Sequence, residues 1–561
     1  MKKISTIFMA LLLAVGGTVS LAGCGDDFDY DETKTQLFVY SYDGGVGTEW
    51  LDDVLLDLYC GMGTIGLSMA GHCRELIGVE IVPGKGKDTL ASKLSTSPYE
   101  VIFSESINYN NLIAQDSIMD ITDVVTESLA DVTGGAETGS IADKMTTQQK
   151  AAFTAINGKH YVIPHYEVYS GLTYDVKVFT DKKLFFKDGG GWTNVEAEKS
   201  VGPDGKKETY DDGLPSSFEE FDKLLDRMVS LNVAPFVWAG QYPEYTNHLL
   251  LGMWAAYSGK DEFMLNFSYG EDSQTKGGTS HTVVGFDENT PIVEEESITP
   301  AKGYLLKQQV GKYYPLQILE KVVDDNRYSS NKMTGVTTHM DAQRYYVDSD
   351  LENNPIAMLI DGSYWYNEAK DAFAASENKY KDRAKNRKFA WMPLPRQAEG
   401  SVTEGNGTKN TLVESLSSFA IINNKSTLRN NPQKVKLAKT FLKYCYTDES
   451  LREFTMTTGI PKGLSYKMED NEINQMSFYA QSLFKVKSAS DVVYPYSDNK
   501  IFIYNQERVL ESSAWSSTIG GTPYVYPYTA IKAGKTAKDY FLGMSISAED
   551  WEKRYGQYYQ S

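Results

Sequence analysis

Cysteine, histidine, basic charge and long apolar runs are all scarce in this sequence. Four cysteines in 561 residues imply no disulfide framework, since small stapled domains carry theirs densely. The six histidines are scattered, and His160 and His165 flank a proline-bearing stretch instead of forming a helical pair, so no metal site is expected. Beyond the N-terminus, nothing approaches the roughly 18 to 20 uninterrupted apolar residues that cross a bilayer. Lysine and arginine number 55 against 75 aspartates and glutamates, a formal charge of -20. That balance argues against nucleic acid as a partner, because phosphate backbones are bound by basic faces that displace counterions. Internal repeats and low-complexity tracts are also missing.

What is present begins at the N-terminus. Lys2 and Lys3 precede an apolar run from Ile7 to Val15 and then "LAGC", Leu21 to Cys24. A basic start, a short apolar core and small residues before a cut describe a secretory signal peptide over 1–23. The acidic "GDDFDYDETKT" that follows reads as a solvated tether over 24–34. Tyrosine is abundant at 38, with eight tryptophans. Rings that keep one polar edge suit ligands that are half apolar and half hydroxyl, as sugars are. A chain of 561 residues exceeds what one core organises, so at least two lobes are expected.

Along the chain, "TQLFVYSYD" alternates as a strand, and "TEWLDDVLLDLY" has helical spacing with Thr48 as N-cap. "PYEVIFSESINYNNLIAQ" gives a strand, a polar turn and a helix. "GKHYVIPHYEVYSGLTYDVKVF" reads as two strands around Pro164. "LPSSFEEFDKLLDRMVSLN" opens with Ser216 or Ser217 as cap and Glu219 and Glu220 in the first turn. "VAPFVWAG" is a buried strand, and "YTNHLLLGMWAAYSG" is an apolar helix facing a core. Further on come the strand of "PIAMLIDGSYWYNEA", the strands "FAWMPLPR" and "SSFAIINN", the helix "NPQKVKLAKTFLKYCY" and a capped C-terminal helix, "SISAEDWEKRYGQYY". Alternating β and α segments predict an α/β fold with helices on the faces of the sheets.

Taken in order, these segments resemble the extracellular solute-binding proteins of ABC sugar importers, the maltose-binding type, and "LAGC" resembles a bacterial lipobox. The resemblance implies that Cys24 carries lipid and that the mature chain is anchored at the extracellular face of the cell membrane. It also implies a two-lobed, type II periplasmic-binding-protein-like fold, a ligand cleft between the lobes, and permease subunits of an importer as partners. The expected N-terminal lobe takes 35–164 and 394–426, and the C-terminal lobe 165–393 and 427–561. Chain crossings are expected near Pro164, Pro393 to Pro395 and Asn423 to Lys425, serving as hinges. Candidate ligand residues are the aromatics Trp238, Tyr364 and Trp365, placed at strand ends to stack on a pyranose. Beside them stand Tyr42 and Asp43 after the first strand, Glu105 and Tyr109 after the third, and Asp361, whose carboxylates accept bonds from sugar hydroxyls. Each ring also has a plain alternative as core packing. A monomer that binds a carbohydrate, with no cofactor and no catalysis, is the resulting expectation; a non-sugar solute in the same fold is the alternative.

One stretch stands apart. "VLLDLYCGMGTIGLSMAGHCRELIGVEIVP", residues 54–83, resembles the S-adenosylmethionine-binding segment of the RNA uracil-5-methyltransferases. Gly61, Gly63 and Gly66 fit the Gly-x-Gly-x-x-Gly spacing that lets backbone approach a cofactor at a helix N-terminus, and Glu80 lies where an acidic residue holds a ribose. The rest of that family's machinery is absent, including a later catalytic Cys in an Asp-Pro-Pro-Arg type setting. A structural role inside the N-terminal lobe is therefore expected, with a helix short or broken near Gly61 to Gly66 and a methyltransferase as the enzymatic alternative. Asp52 and Asp53, adjacent and pointing apart on a helix, make a poor glycosidase pair.

Overall fold

The structure, a computed structural model, describes residues 39–41, 79–80, 94, 99–104, 109–271, 276–398, 409–414, 418–495, 497, 499–505 and 514–560. The chain divides into two compact units, 1–167 with 416–475 and 168–415 with 476–561. Nine strands form the two main sheets: β1 (Val39–Ser41), β2 (Val79–Glu80), β3 (Val101–Ser104), β4 (Ile163–Pro164), β5 (Ser170–Asp175), β6 (Ala234–Val237), β7 (Ile356–Gly362), β8 (Phe389–Met392) and β9 (Phe419–Ile422).

In the first unit the sheet order is β2-β1-β3-β9-β4. The first three strands run parallel and β9 pairs antiparallel with both β3 and β4. Side chains of β3 and β9 are buried throughout, which is why these segments read as continuous apolar runs without alternation. The helix Pro432–Tyr444 starts on Asn431, whose side chain accepts from the Lys434 N–H at 3.1 Å. It is tied down by Lys439 on Asp123 at 2.7 Å and by Lys443 on Glu127 and Asp131, both at 3.2 Å. Inside the unit, Glu100 is closed over by Lys425 at 3.0 Å and Lys434 at 2.9 Å.

The second unit is built on β8-β5-β7-β6, with β5 antiparallel to its neighbours on both sides and β6 parallel to β7. The helix Phe218–Ser230 starts on Ser217, whose hydroxyl accepts from the Glu220 N–H at 3.2 Å, as its sequence predicts. Thr246–Ser268 is apolar nearly all round and buried along most of its length, broken at Gly259, where φ is 71°. It lies against β5 because Gly252 has no side chain: a Cβ there would sit 2.8 Å from the Ser170 carbonyl oxygen. A long antiparallel hairpin, Thr279–Asp287 with Thr290–Ser297, has no counterpart among the sequence expectations.

The expected lobes need correction at two places. The first crossing falls at Glu167, close to the expected Pro164, but the chain returns to the first unit only after Ser415, and not near Pro393 to Pro395. Residues 427–475, assigned to the C-terminal lobe, belong with the first unit, since Pro432–Tyr444 packs there through the ion pairs above. The third crossing, at Gln475, replaces the one expected at Asn423 to Lys425, where Asn423 instead bonds to Leu94 and Tyr99 inside the first unit. The expected helix over 48–59 and its break near Gly61 to Gly66 lie outside the described residues.

Candidate ligand site

In α/β sheets, ligands gather outside the carboxyl ends of strands. At that edge of the second unit, β6 ends into Trp238, β7 ends into Ser363 and Tyr364, and β5 begins at Ser170 opposite Gly362. After β6 the chain turns tightly, with the Tyr242 N–H donating to the Ala239 carbonyl at 2.9 Å. Gly240 makes this turn possible, because a Cβ there would sit 2.3 Å from the Thr334 carbonyl oxygen. Its absence lets the 333–338 loop close in, fixed by the Gln241 N–H on the Thr337 carbonyl at 3.0 Å. That loop feeds the helix His339–Asp348 through a Thr338–Asp341 capping box.

The result is a chain of rings. His339 lies 6.3 Å from Tyr242, Tyr242 lies 6.0 Å from Tyr245, and Tyr245 lies 5.9 Å from His248. All four residues are half-buried, so each is held in place by the fold. His248 Nδ1 lies 3.0 Å from the Ser170 hydroxyl, and burial pulls this imidazole down to about 4. Burial also lowers His339, so both are neutral at pH 7, with ring nitrogens able to donate or accept.

Behind the rings stands a buried acid network. Asp361, 2% exposed, accepts from its neighbour Gly362 N–H at 2.8 Å and from the side chains of Gln343 and Tyr364. Burial pushes its carboxyl up to about 7, against the pull of those donors. Gln343 also donates to Glu368 at 2.5 Å, and Glu368 lies 3.9 Å from His339. Tyr364 in turn is hydrogen-bonded to Tyr245, whose phenol is raised well above its usual range, by burial first and then by Asp361 and Glu368.

Of the residues singled out from sequence, the structure brings Asp361 and Tyr364 together in this network. Trp365 goes elsewhere: it is 0% exposed and enclosed by Phe389, Tyr346 and Tyr479 at 5.4 to 5.6 Å. Trp238 is also buried, edge-on to Tyr528 at 6.0 Å. Neither ring offers a face to solvent here, so the stacking expected of them is not what their positions provide. In the first unit Tyr109 starts the helix Tyr109–Ala114 and packs edge-on to Phe419 at 5.3 Å, its phenol raised by burial. Tyr42, Asp43, Glu105, Cys24, Gly61, Gly63 and Gly66 lie outside the described residues; Glu80 is described only as part of β2. Sequence reading missed Tyr242, Tyr245, His248, His339, Gln343 and Glu368. The signal was available in "YPEYTNH", where rings recur every three positions at 242, 245 and 248. Among the described residues, no group of three or more His, Cys, Asp or Glu could hold a metal, and no helix is long and apolar enough to cross a membrane.

No family model matches the chain. Among solved structures, a chitin oligosaccharide binding protein superimposes with a TM-score of 0.51 at 13% sequence identity, over 91% of this chain and all of that one. The binding protein msme from Bacillus subtilis subsp. subtilis str. 168, in an open conformation, gives 0.47 at 13% identity over 95% of this chain and 98% of that one. The first of these likenesses shows the fold. It is the two-lobed α/β fold of solute-binding proteins.

Sequence matches among curated proteins are of another kind. An uncharacterized RNA methyltransferase of Staphylococcus aureus (strain N315) is 54% identical over 37 residues, 7% of this chain and 8% of that protein. One from Chlorobaculum tepidum is 38% identical over 63 residues, 11% of this chain and 13% of that protein. The chain thus spans only a small part of these relatives, in keeping with a resemblance confined to one short segment.

Proposed function

We propose that the protein is a lipid-anchored extracellular solute-binding protein that captures an oligosaccharide and delivers it to the permease subunits of an ABC importer. The observation that carries this reading is the ring row His339–Tyr242–Tyr245–His248, held half-buried at the carboxyl edge of a sheet. Ring faces cover the C–H faces of a pyranose, and the phenols, neutral imidazoles and Glu368 carboxylate bond its hydroxyls. The name of the superimposed chitin oligosaccharide binding protein supports a saccharide longer than one unit. The Leu-Ala-Gly-Cys sequence ending at Cys24 supports the anchor. Binding and release involve no covalent step and no cofactor, and one copy of the chain suffices. The 54–83 segment serves as part of the N-terminal lobe.

A second reading, S-adenosylmethionine-dependent methylation of RNA, is favoured by one observation, the 54% identity over 37 residues. A thermal-melt panel on the chain without its signal peptide and lipid separates the two. The wells hold chitin, malto- and cello-oligosaccharides, a peptide mixture, and S-adenosylmethionine. Ligand at about 100 times its dissociation constant adds about 2.7 kcal/mol, a shift of a few degrees. A rise with one saccharide series supports the receptor; a rise only with peptides moves the reading to another solute, and a rise only with S-adenosylmethionine overturns it.

A further inference from the structure

We infer that Asp361 is the positioning residue of the ligand site: it sets the hydroxyl of Tyr245 through Tyr364 on one side and the carboxylate of Glu368 through Gln343 on the other. Both arms lead from one buried carboxylate to groups on the ring row. Because Asp361 is 2% exposed, it acts through these neighbours without touching ligand. The inference rests on the saccharide reading of the row.

The chemistry follows from counting donors. An ionised carboxylate only accepts. Asp361 therefore accepts a hydrogen bond from the Tyr364 phenol, Tyr364 accepts from Tyr245, and the oxygen of Tyr245 is left as an acceptor for a sugar hydroxyl. On the other arm the Gln343 amide spends one N–H on Asp361 and the other on Glu368, which fixes the amide and aims the second carboxylate. A protonated Asp361 carries a proton of its own and frees the Tyr364 phenol to point the other way, reversing the polarity presented by Tyr245.

The titratable groups around Asp361 come from four elements. His339 and Asp341 lie on the helix His339–Asp348, and Glu244, Tyr245 and His248 lie on the segment after β6. Tyr364 and Glu368 border the short helix Trp365–Glu368, and Tyr479 lies on Phe478–Ala489. None of these is a cation at neutral pH, since both histidines are lowered by burial. Burial brings the Asp361 carboxyl to about 7, so this network changes charge near neutral pH.

The test uses wild type, Asp361→Asn and Tyr364→Phe of the mature chain, titrated with chitotriose, maltotriose and cellotriose from pH 5.5 to 8.5. Wild-type affinity is expected to rise with pH through about 7. Asp361→Asn should bind about 10-fold more weakly at pH 8, with a flat pH profile. An unchanged profile in Asp361→Asn overturns the inference. Should wild type bind no saccharide, the proposed function falls, and a ligand-free readout decides the inference alone. In 3-fluorotyrosine-labelled protein the 19F resonance of Tyr245, assigned by its loss in Tyr245→Phe, should move with a midpoint near 7 in wild type and stay still in Asp361→Asn. Identical movement in both overturns the relay. Should Asp361→Asn fail to fold, Tyr364→Phe cuts the same arm without altering charge. A pH-responsive Tyr245 in that variant would be equally fatal to the inference.

Discussion

Asp175 and Arg387 form a buried ion pair in the second unit, with side chains 0% and 3% exposed. The guanidinium Nε donates to Asp175 Oδ2 at 2.9 Å, while Oδ1 caps a helix by accepting from the N–H groups of Lys177 at 2.9 Å and Val178 at 3.0 Å. One carboxylate thereby joins the end of β5, the start of a helix and the segment leading into β8. Burial still raises Asp175 above its ordinary value, with Arg387 pulling against it. Removing one member leaves a desolvated charge, so Asp175→Ala should destabilise by about 3–5 kcal/mol. Replacing both members by apolar residues of similar volume should recover most of that loss. Urea midpoints for the single and double variants decide it, and an unshifted Asp175→Ala refutes it.

Trp365 should behave as a core residue. Enclosed by aromatic rings and 0% exposed, it leaves a large cavity on truncation. Trp365→Ala is expected to cost about 3–5 kcal/mol. Saccharide affinity at a temperature where the variant remains folded should stay close to that of wild type. Lost affinity at unchanged stability would return Trp365 to the ligand.

What the sequence made legible was local. Ser217 as an N-cap, the apolar runs of β6, β7 and β9, and the carboxyl-end position of Asp361 and Tyr364 all follow from rules spanning a few residues. The misplaced parts depend on distant partners. Trp238 and Trp365 have the same strand-end setting as Tyr364, and only tertiary packing turns them inward. The crossing at Gln475 sits in the polar run "EDNEINQ" with no Pro or Gly to mark it. The hairpin Thr279–Ser297 turns through Glu288 at φ 51°, a residue that turn grammar does not favour there. The ring row was hidden because "YPEYTNH" runs straight into an apolar helix, and the core signal of that helix masked the spacing of its first turn.

The first unit should be acid-sensitive through His165. Lys462 Nζ lies 2.7 Å from Nδ1 of His165, and both residues are 0% exposed. An ammonium only donates, so Nδ1 accepts and the imidazole is neutral. Burial first, and the charge of Lys462 second, hold His165 well below its usual range. A depressed folded value means the contribution is fully present above the unfolded value of about 6.5 and is lost as pH falls. Urea midpoints of wild type should therefore decline from pH 7 to 5. His165→Gln should start lower by about 1–3 kcal/mol and decline less steeply. Parallel declines in the two proteins would rule this out.

On the proposed saccharide reading, the ring row predicts that affinity grows with saccharide length. Rings spaced 5.9 to 6.3 Å apart are each about the size of one sugar ring and lie next to one another, so a longer chain covers more of them. Tyr242 sits at one end beside His339 and makes none of the Asp361 network's hydrogen bonds described above, so its truncation leaves that network in place. Each aromatic partner is worth about 0.5–1.5 kcal/mol beyond its buried area, or about 2- to 10-fold in affinity. Tyr242→Ala should therefore weaken a trisaccharide by about that factor, leave a monosaccharide held at the Tyr245–His248 end nearly unaffected, and change the melting temperature little. Calorimetric titration of mono-, di- and trisaccharides of one series against wild type and Tyr242→Ala measures this. If the variant weakens every length equally, the row is a single subsite and the ligand is one sugar ring.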